Sequence, residues 1–223
     1  MITSAQNQTL KLVRKLHARR WRDKLGLFVA EGEDLVDAAL EAGFEPVGLL
    51  VAGETVAPEL LAEVSTLPHP ARAIGVFRRE DLPGFEHRPV GLSLWRVGDP
   101  GNVGTLIRTA DAFDASVELS AGCADPTGPK AVRASAGSLF RVPLGSFGEA
   151  AGARILLVAH GGRPLPEVQL GEPVVFVLGA EREGLPAELV SAGELATIPT
   201  PGPAESLNVA LAGAIALYEY RRR

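Results

Sequence analysis

Three polar loops in the second half of the chain hold residues able to do chemistry. "GDPGN" at 98–102 ends in Asn102, "LGAEREGLP" at 178–186 contains Glu181, and "IPTPGPAESLN" at 198–208 contains Ser206 and Asn208. Six residues after Asn102, Arg108 interrupts a stripe in which Val103, Leu106, Ile107 and Ala110 recur at the i, i+3, i+4, i+7 spacing of a core-facing helix. An arginine there either snorkels to solvent, pairs with Asp111 or Asp114, or has a ligand to hold. Its planar five-donor fork suits a phosphate or a developing oxyanion. The others have structural readings too: Asn102 and Ser206 as helix N-caps, Glu181 as an acid in a first helical turn.

The elements that must position these residues alternate. After a basic helix, the strand "LFVAEG", helix "EDLVDAALEAG", strand "PVGLLVA", helix "PELLAEVS" and strand "AIGVF" make a small α/β unit over residues 1–77. The proline-bearing stretch "RREDLPGFEHRP" at 78–89 reads as a linker. Residues 90–223 then give strand "VGLSLWRV", helix 102–113, strand "SVELSA", helix "PKAVRASAG", strands "LFRVPL", "RILLVAH", "VVFVLG" and "ATIP", and the closing helix "AESLNVALAGAIALYEYRR". This order predicts an α/β fold with a mostly parallel sheet covered on both faces. In such sheets ligands collect beyond the carboxyl ends of the strands, where the three loops fall. "GDPGNVG" is not the G-x-G-x-x-G of dinucleotide binding, and no G-x-x-x-x-G-K-[ST] occurs.

Composition narrows the class further. The chain has 223 residues, enough for a fold that buries about 70% of its unfolded surface. Cys123 is the single cysteine and the four histidines are widely spaced, so neither a disulfide nor a metal site is expected, and a reducing cytoplasm suits it. The first thirty residues carry "KLVRKLHARRWRDK" in place of an apolar signal region, and the run "LNVALAGAIALY" is too short to cross a bilayer. The expectation is a soluble, unexported protein with no membrane partner. Net charge is −5, yet residues 1–24 hold seven basic residues against one acid, a local +6 that leaves −11 for the remainder. That basic arm, with Lys11, Arg14, Lys15, Arg19 and Arg20 and with Trp21 among them, fits a polyanion such as RNA.

Read together, the three loops resemble the SpoU/TrmH branch of the SPOUT RNA methyltransferases. The first motif of that family stands here as Asn102, Gly104, Arg108, Thr109 and Ala110; the second as "VFVLGAEREGL" with Gly179, Glu181, Gly184 and Leu185; the third as "IPTPGPAESLNVALAGAIALYE" with Ile198, Pro199, Gly202, Ser206, Leu207 and Asn208. The N-terminal "ITSAQNQTLKLVRKL" and "FVAEGEDLVDAAL" are similar to the ribosomal-protein-like RNA-binding domain that precedes many of these catalytic domains. The resemblance implies transfer of a methyl group from S-adenosylmethionine to a ribose 2′-hydroxyl, with ribosomal RNA favoured over tRNA as substrate. It implies Arg108 as the residue that binds or activates the hydroxyl, Asn102, Glu181, Ser206 and Asn208 in support, and Gly179, Ile198 and Leu207 as cofactor contacts. Glu181 is expected to orient Arg108 or the substrate. A deep trefoil knot in the C-terminal domain and a homodimer with the closing helix in its contact are implied as well. Arg182, Pro186 and Thr200 depart from the usual motif residues without removing a motif polar group. Two other readings stay open: a tRNA 2′-O-methyltransferase, and a catalytically silent RNA-binding or ribosome-assembly module of the same fold.

Overall fold

The basic arm folds as two helices, not one. In the structure, a computed structural model that describes residues 1–69 and 71–223, α1 (Gln8–Leu16) starts where the Asn7 side chain accepts from the Thr9 and Leu10 amides, and it buries Leu10, Val13 and Leu16. The chain breaks at His17 and Ala18 before α2 (Arg19–Leu25), which ends at Gly26 in the left-handed region, φ 64°. β1 (Leu27–Glu31), α3 (Glu33–Glu41), β2 (Gly48–Val51), α4 (Pro58–Val64) and β3 (Ala73–Arg78) follow. The strands form an antiparallel sheet in the order β1-β3-β2. Leu10, Val13 and Leu16 pack with Val29, Leu50, Leu61 and Ile74 in its core.

The remaining elements are β4 (Val90–Leu94), α5 (Pro100–Ala112), β5 (Ser116–Leu119), α6 (Pro129–Ser135), β6 (Leu144–Ser146), β7 (Ala153–Leu157), β8 (Arg163–Pro164), β9 (Val174–Leu178), α7 (Ala187–Ala192), β10 (Glu194–Thr197) and α8 (Val209–Arg221). Seven strands form an all-parallel sheet in the order β6-β5-β4-β9-β7-β10-β8. Every residue of β4 and β9 is buried, the mark of central strands covered on both faces. Gly213 lets α8 approach closely, since a Cβ there would stand 2.4 Å from the Leu106 side chain on α5.

Several local expectations need correction. Helix α5 begins at Pro100, and its N-cap is Asp99, whose side chain accepts from the Asn102 amide at 3.0 Å; Asn102 therefore lies inside the first turn. Proline suits the first helical position because its missing N–H would have no partner there. Ser206 caps nothing, because α8 starts at Val209 with Asn208 as its cap. "LFRVPL" is not a strand: Ser138–Phe140 form a single 3-10 turn and the strand starts at Leu144. Neither α7 nor the short β8 was anticipated.

Two compact units result: residues 1–82 with 125–141, and residues 83–124 with 142–223. The segment 125–141, expected within the domain 90–223, belongs to the first unit for two physical reasons. Phe140 stacks into a ring cluster with Phe28, Phe44 and Phe77, centroids 5.0 to 6.1 Å away. Buried Arg22 and half-buried Arg79 both pair with Asp125, at 2.8 and 2.7 Å. Arg79 sits in the stretch expected to be a linker, where it also pairs with Asp23 at 2.7 Å.

Candidate active site

The site lies in the second unit, where the chain leaves the carboxyl ends of β4, β7, β9 and β10. Beyond β9 the chain turns back on itself, with the Ala180 and Gly184 amides each donating to the other's carbonyl at 3.1 and 2.9 Å. The turn is tight against β9, and a Cβ on Gly179 would stand 2.3 Å from the Gly184 carbonyl carbon. Glycine at 179 is thus required by backbone packing, whatever else it contacts.

That turn presents Glu181 to the neighbouring loop. The Gly98 and Asp99 amides donate to its carboxylate at 3.1 and 3.0 Å, and the Asn102 side-chain amide donates to the same carboxylate at 3.0 Å. Asn208 donates in turn to the Asn102 side-chain carbonyl at 3.1 Å, while its own carbonyl accepts from Ala210 at 2.8 Å to cap α8. Glu181, Asn102 and Asn208 therefore form one chain that ties all three loops together. Partial burial pushes the Glu181 carboxyl up, but the hydrogen bonds from Asn102, Asp99 and Gly98 outweigh it and hold the group below its ordinary value. Among the described residues Glu181 makes no bond to Arg108; its bonds go to the loop that carries Asn102.

A cavity of about 390 Å³ opens beside this chain, lined by Gly179, Glu181, Ile198, Ser206, Leu207 and Asn208 among others. Its size suits a small organic ligand. Leu157, Val158 and Ala159 line it too, from the loop after β7. Sequence reading passed over that fourth loop, although "LVAHGG" ends a strand in a glycine pair, which is the available signal. Arg182 and Thr200, noted only as motif departures, also line the cavity.

Arg108 stands apart. Val103, Leu106, Ile107 and Ala110 are buried as expected, but Arg108 is exposed, and among the described residues no hydrogen bond or ion pair holds its guanidinium. Asp114, one expected partner, pairs with Arg88 at 2.9 Å instead. Six residues of helix place Arg108 about 9 Å along the axis from Asn102, outside the cavity lining. In the first unit, Lys11, Arg14, Lys15, Arg19 and Arg20 are all exposed on α1 and α2. Among the described residues no group of three or more His, Cys, Asp or Glu side chains is arranged to hold a metal, and no helix is long and apolar enough to cross a membrane.

Fold and site together define the SPOUT class of methyltransferases. The S-adenosylmethionine-bound rRNA methyltransferase from Sinorhizobium meliloti matches with a TM-score of 0.88 at 31% identity, covering 99% of this chain and 97% of that one. The chain belongs to the SpoU rRNA methylase family, whose model matches residues 89–218, and residues 7–78 match the MRM3-like substrate binding domain. Similar relatives include the 23S rRNA (guanosine(2553)-2′-O)-methyltransferase RlmP of Bacillus subtilis, 35% identical over 99% of this chain and 98% of its own length. A 23S rRNA (uridine(2479)-2′-O)-methyltransferase of Streptomyces viridochromogenes is 31% identical over 92% of this chain and 86% of its own length.

Proposed function

We propose that this chain transfers a methyl group from S-adenosylmethionine to a ribose 2′-hydroxyl of ribosomal RNA, in the cytoplasm and as a homodimer. The observation that carries the reading is the cavity closed on one side by the Glu181, Asn102 and Asn208 chain. Its lining fits the cofactor: Leu157, Ile198, Leu207 and Val209 offer apolar surface to a purine, and the turn at Gly179 and Ala180 offers main-chain groups. The relatives of similar length that methylate 23S rRNA support the substrate, and the exposed cations of α1 and α2 support an RNA partner.

When bound, S-adenosylmethionine supplies an electrophilic methyl group. Gly179, Ile198 and Leu207 hold it from the knotted loops implied by family membership. Asn102 uses one amide N–H on Glu181 and one carbonyl lone pair on Asn208, which leaves one donor and one lone pair for the incoming ribose. Arg108, with no partner among the described residues, clamps the phosphate beside the target ribose and stabilises negative charge developing on the 2′-oxygen. The transfer releases one proton from the 2′-hydroxyl, which passes to solvent water, since a guanidinium stays protonated in proteins. Ser206, exposed at the cavity, contacts substrate and not the helix end.

The test is single-turnover transfer of a labelled methyl group to purified ribosomal RNA and tRNA, with the site read from resistance of the modified linkage to alkaline hydrolysis. Labelling of ribosomal RNA is expected. Labelling of tRNA alone would replace the substrate, and cofactor binding with no labelling of any RNA would point to a silent module.

A further inference from the structure

We propose that Trp21 and the three cations around it, Lys15, Arg20 and Lys24, form a stacking platform for an unpaired nucleotide in a single-stranded stretch of RNA. The proposal rests on the reading of this protein as an RNA enzyme and names the form of RNA that its first unit holds.

The structure sorts the seven basic residues of the arm, which charge alone treats as equal. Arg22 is 4% exposed and donates to the Leu16 and His17 carbonyls and to Asp125, so it pins α2 in place. Arg14 pairs with Glu63 at 3.3 Å and Arg19 with Asp23 at 3.6 Å. Lys11, Lys15, Arg20 and Lys24 have no carboxylate partner among the described residues. Three of these four gather at one ring: Lys15 Nζ stands 5.0 Å, Lys24 Nζ 5.3 Å and the Arg20 guanidinium carbon 5.8 Å from the Trp21 ring centroid. The break at His17 and Ala18 is what carries Lys15, in the last turn of α1, to an indole on α2.

Trp21 is half-buried, where cation–π contacts are modest, and base–aromatic stacking matches or exceeds them and tolerates any base. An incoming base therefore displaces the ammonium groups from the ring, and these turn to the phosphates on either side. A single strand offers both a free base face and closely spaced phosphates. A duplex keeps its bases stacked on each other and is read through its grooves and backbone, leaving the indole no part. An acidic peptide would satisfy the cations but has no flat ring for Trp21.

The test uses full-length protein carrying Trp95→Phe, so that Trp21 is the one tryptophan left to be excited selectively. Oligouridylate of about twelve nucleotides, within the span of a typical single-strand site, is titrated beside a blunt RNA duplex and polyglutamate. Oligouridylate alone should quench the emission. Because these variants lack the emitter, their binding is read by filter retention of labelled oligouridylate: Trp21→Leu should weaken it about 5- to 100-fold, and Trp21→Phe should keep most of the affinity. The salt slope should be unchanged in both variants, because no phosphate contact is removed. Unchanged affinity in Trp21→Leu, or equal quenching by duplex or polyglutamate, would overturn the platform. Calorimetry with S-adenosylmethionine on the parent protein keeps the two readings apart: its failure sinks the methyltransferase and leaves the platform standing.

Discussion

Among the described residues Arg108 spends none of its hydrogen-bonding capacity, which makes its function separable from the fold. Arg108→Ala should unfold at the parent temperature and bind S-adenosylmethionine normally, while single-turnover methyl transfer falls about a hundredfold or more, the scale for loss of one charge-stabilising donor. Arg108→Lys should recover little, since an ammonium lacks the planar fork that holds two oxygens at once; near-parental turnover in the lysine variant would sink the clamp. Glu181 is the opposite case, with every bond directed inward. Its carboxyl is held below its ordinary value of 4.5 in the folded protein and not in the unfolded one, so its support is present above about pH 4.5 and fades as pH falls through the lower folded value. Hydrogen-exchange protection of the Gly98 and Asp99 amides should accordingly drop on acidification past that point. In Glu181→Gln the protection should show no such step, and an identical step in that variant would assign the effect to another group.

At the scale of elements, Gly179 decides whether β9 can deliver its turn to the site. Gly179→Ala would place a methyl group 2.3 Å from the Gly184 carbonyl carbon, so the turn must move, at a cost of about 1–3 kcal/mol typical of overpacking. The expected readout is lost cofactor affinity in calorimetry together with lower thermal stability; normal binding would mean the turn is not needed. Such elements differ in how far the sequence discloses them. The apolar stripe of α5 and the largely apolar runs of β4 and β9 were legible because the pattern is local. The start of α5 was misplaced by two residues because Asp99 and Pro100 together outcompete Asn102 as the opening signal. "LFRVPL" does not form the expected strand because its buried Leu139 and Phe140, the latter held by rings far away in sequence, imitate a strand's local apolar pattern. Glu181 was singled out, but its partners Gly98, Asp99 and Asn102 lie 79 to 83 residues away, and no spacing rule reports that pairing.

At the scale of the whole molecule, α8 leaves Leu211, Ile215 and Tyr218 exposed by 57, 38 and 60%, at i, i+4 and i+7 on one face. In the proposed homodimer a second copy of the chain covers this stripe, so the parent should sediment as a dimer and Leu211→Glu as a monomer; a parent that sediments as a monomer would remove the homodimer, and a variant that stays dimeric would place the contact elsewhere. The first unit is bound together across a long excursion, since Phe140 completes the ring cluster of Phe28, Phe44 and Phe77. Phe140→Ala should destabilise that unit by about 3–5 kcal/mol in denaturant unfolding, and a loss below ~1 kcal/mol would show the cluster to be adaptable. Its discontinuity also bears on birth order. The ribosome releases residues 1–82 first, yet the acid that pairs with Arg22 and the ring that seals the aromatic cluster arrive only with residues 125–141, after β4, α5 and β5 have emerged. The amino-terminal unit therefore waits on its successor, and the nascent chain cannot finish its first half before it has begun its second.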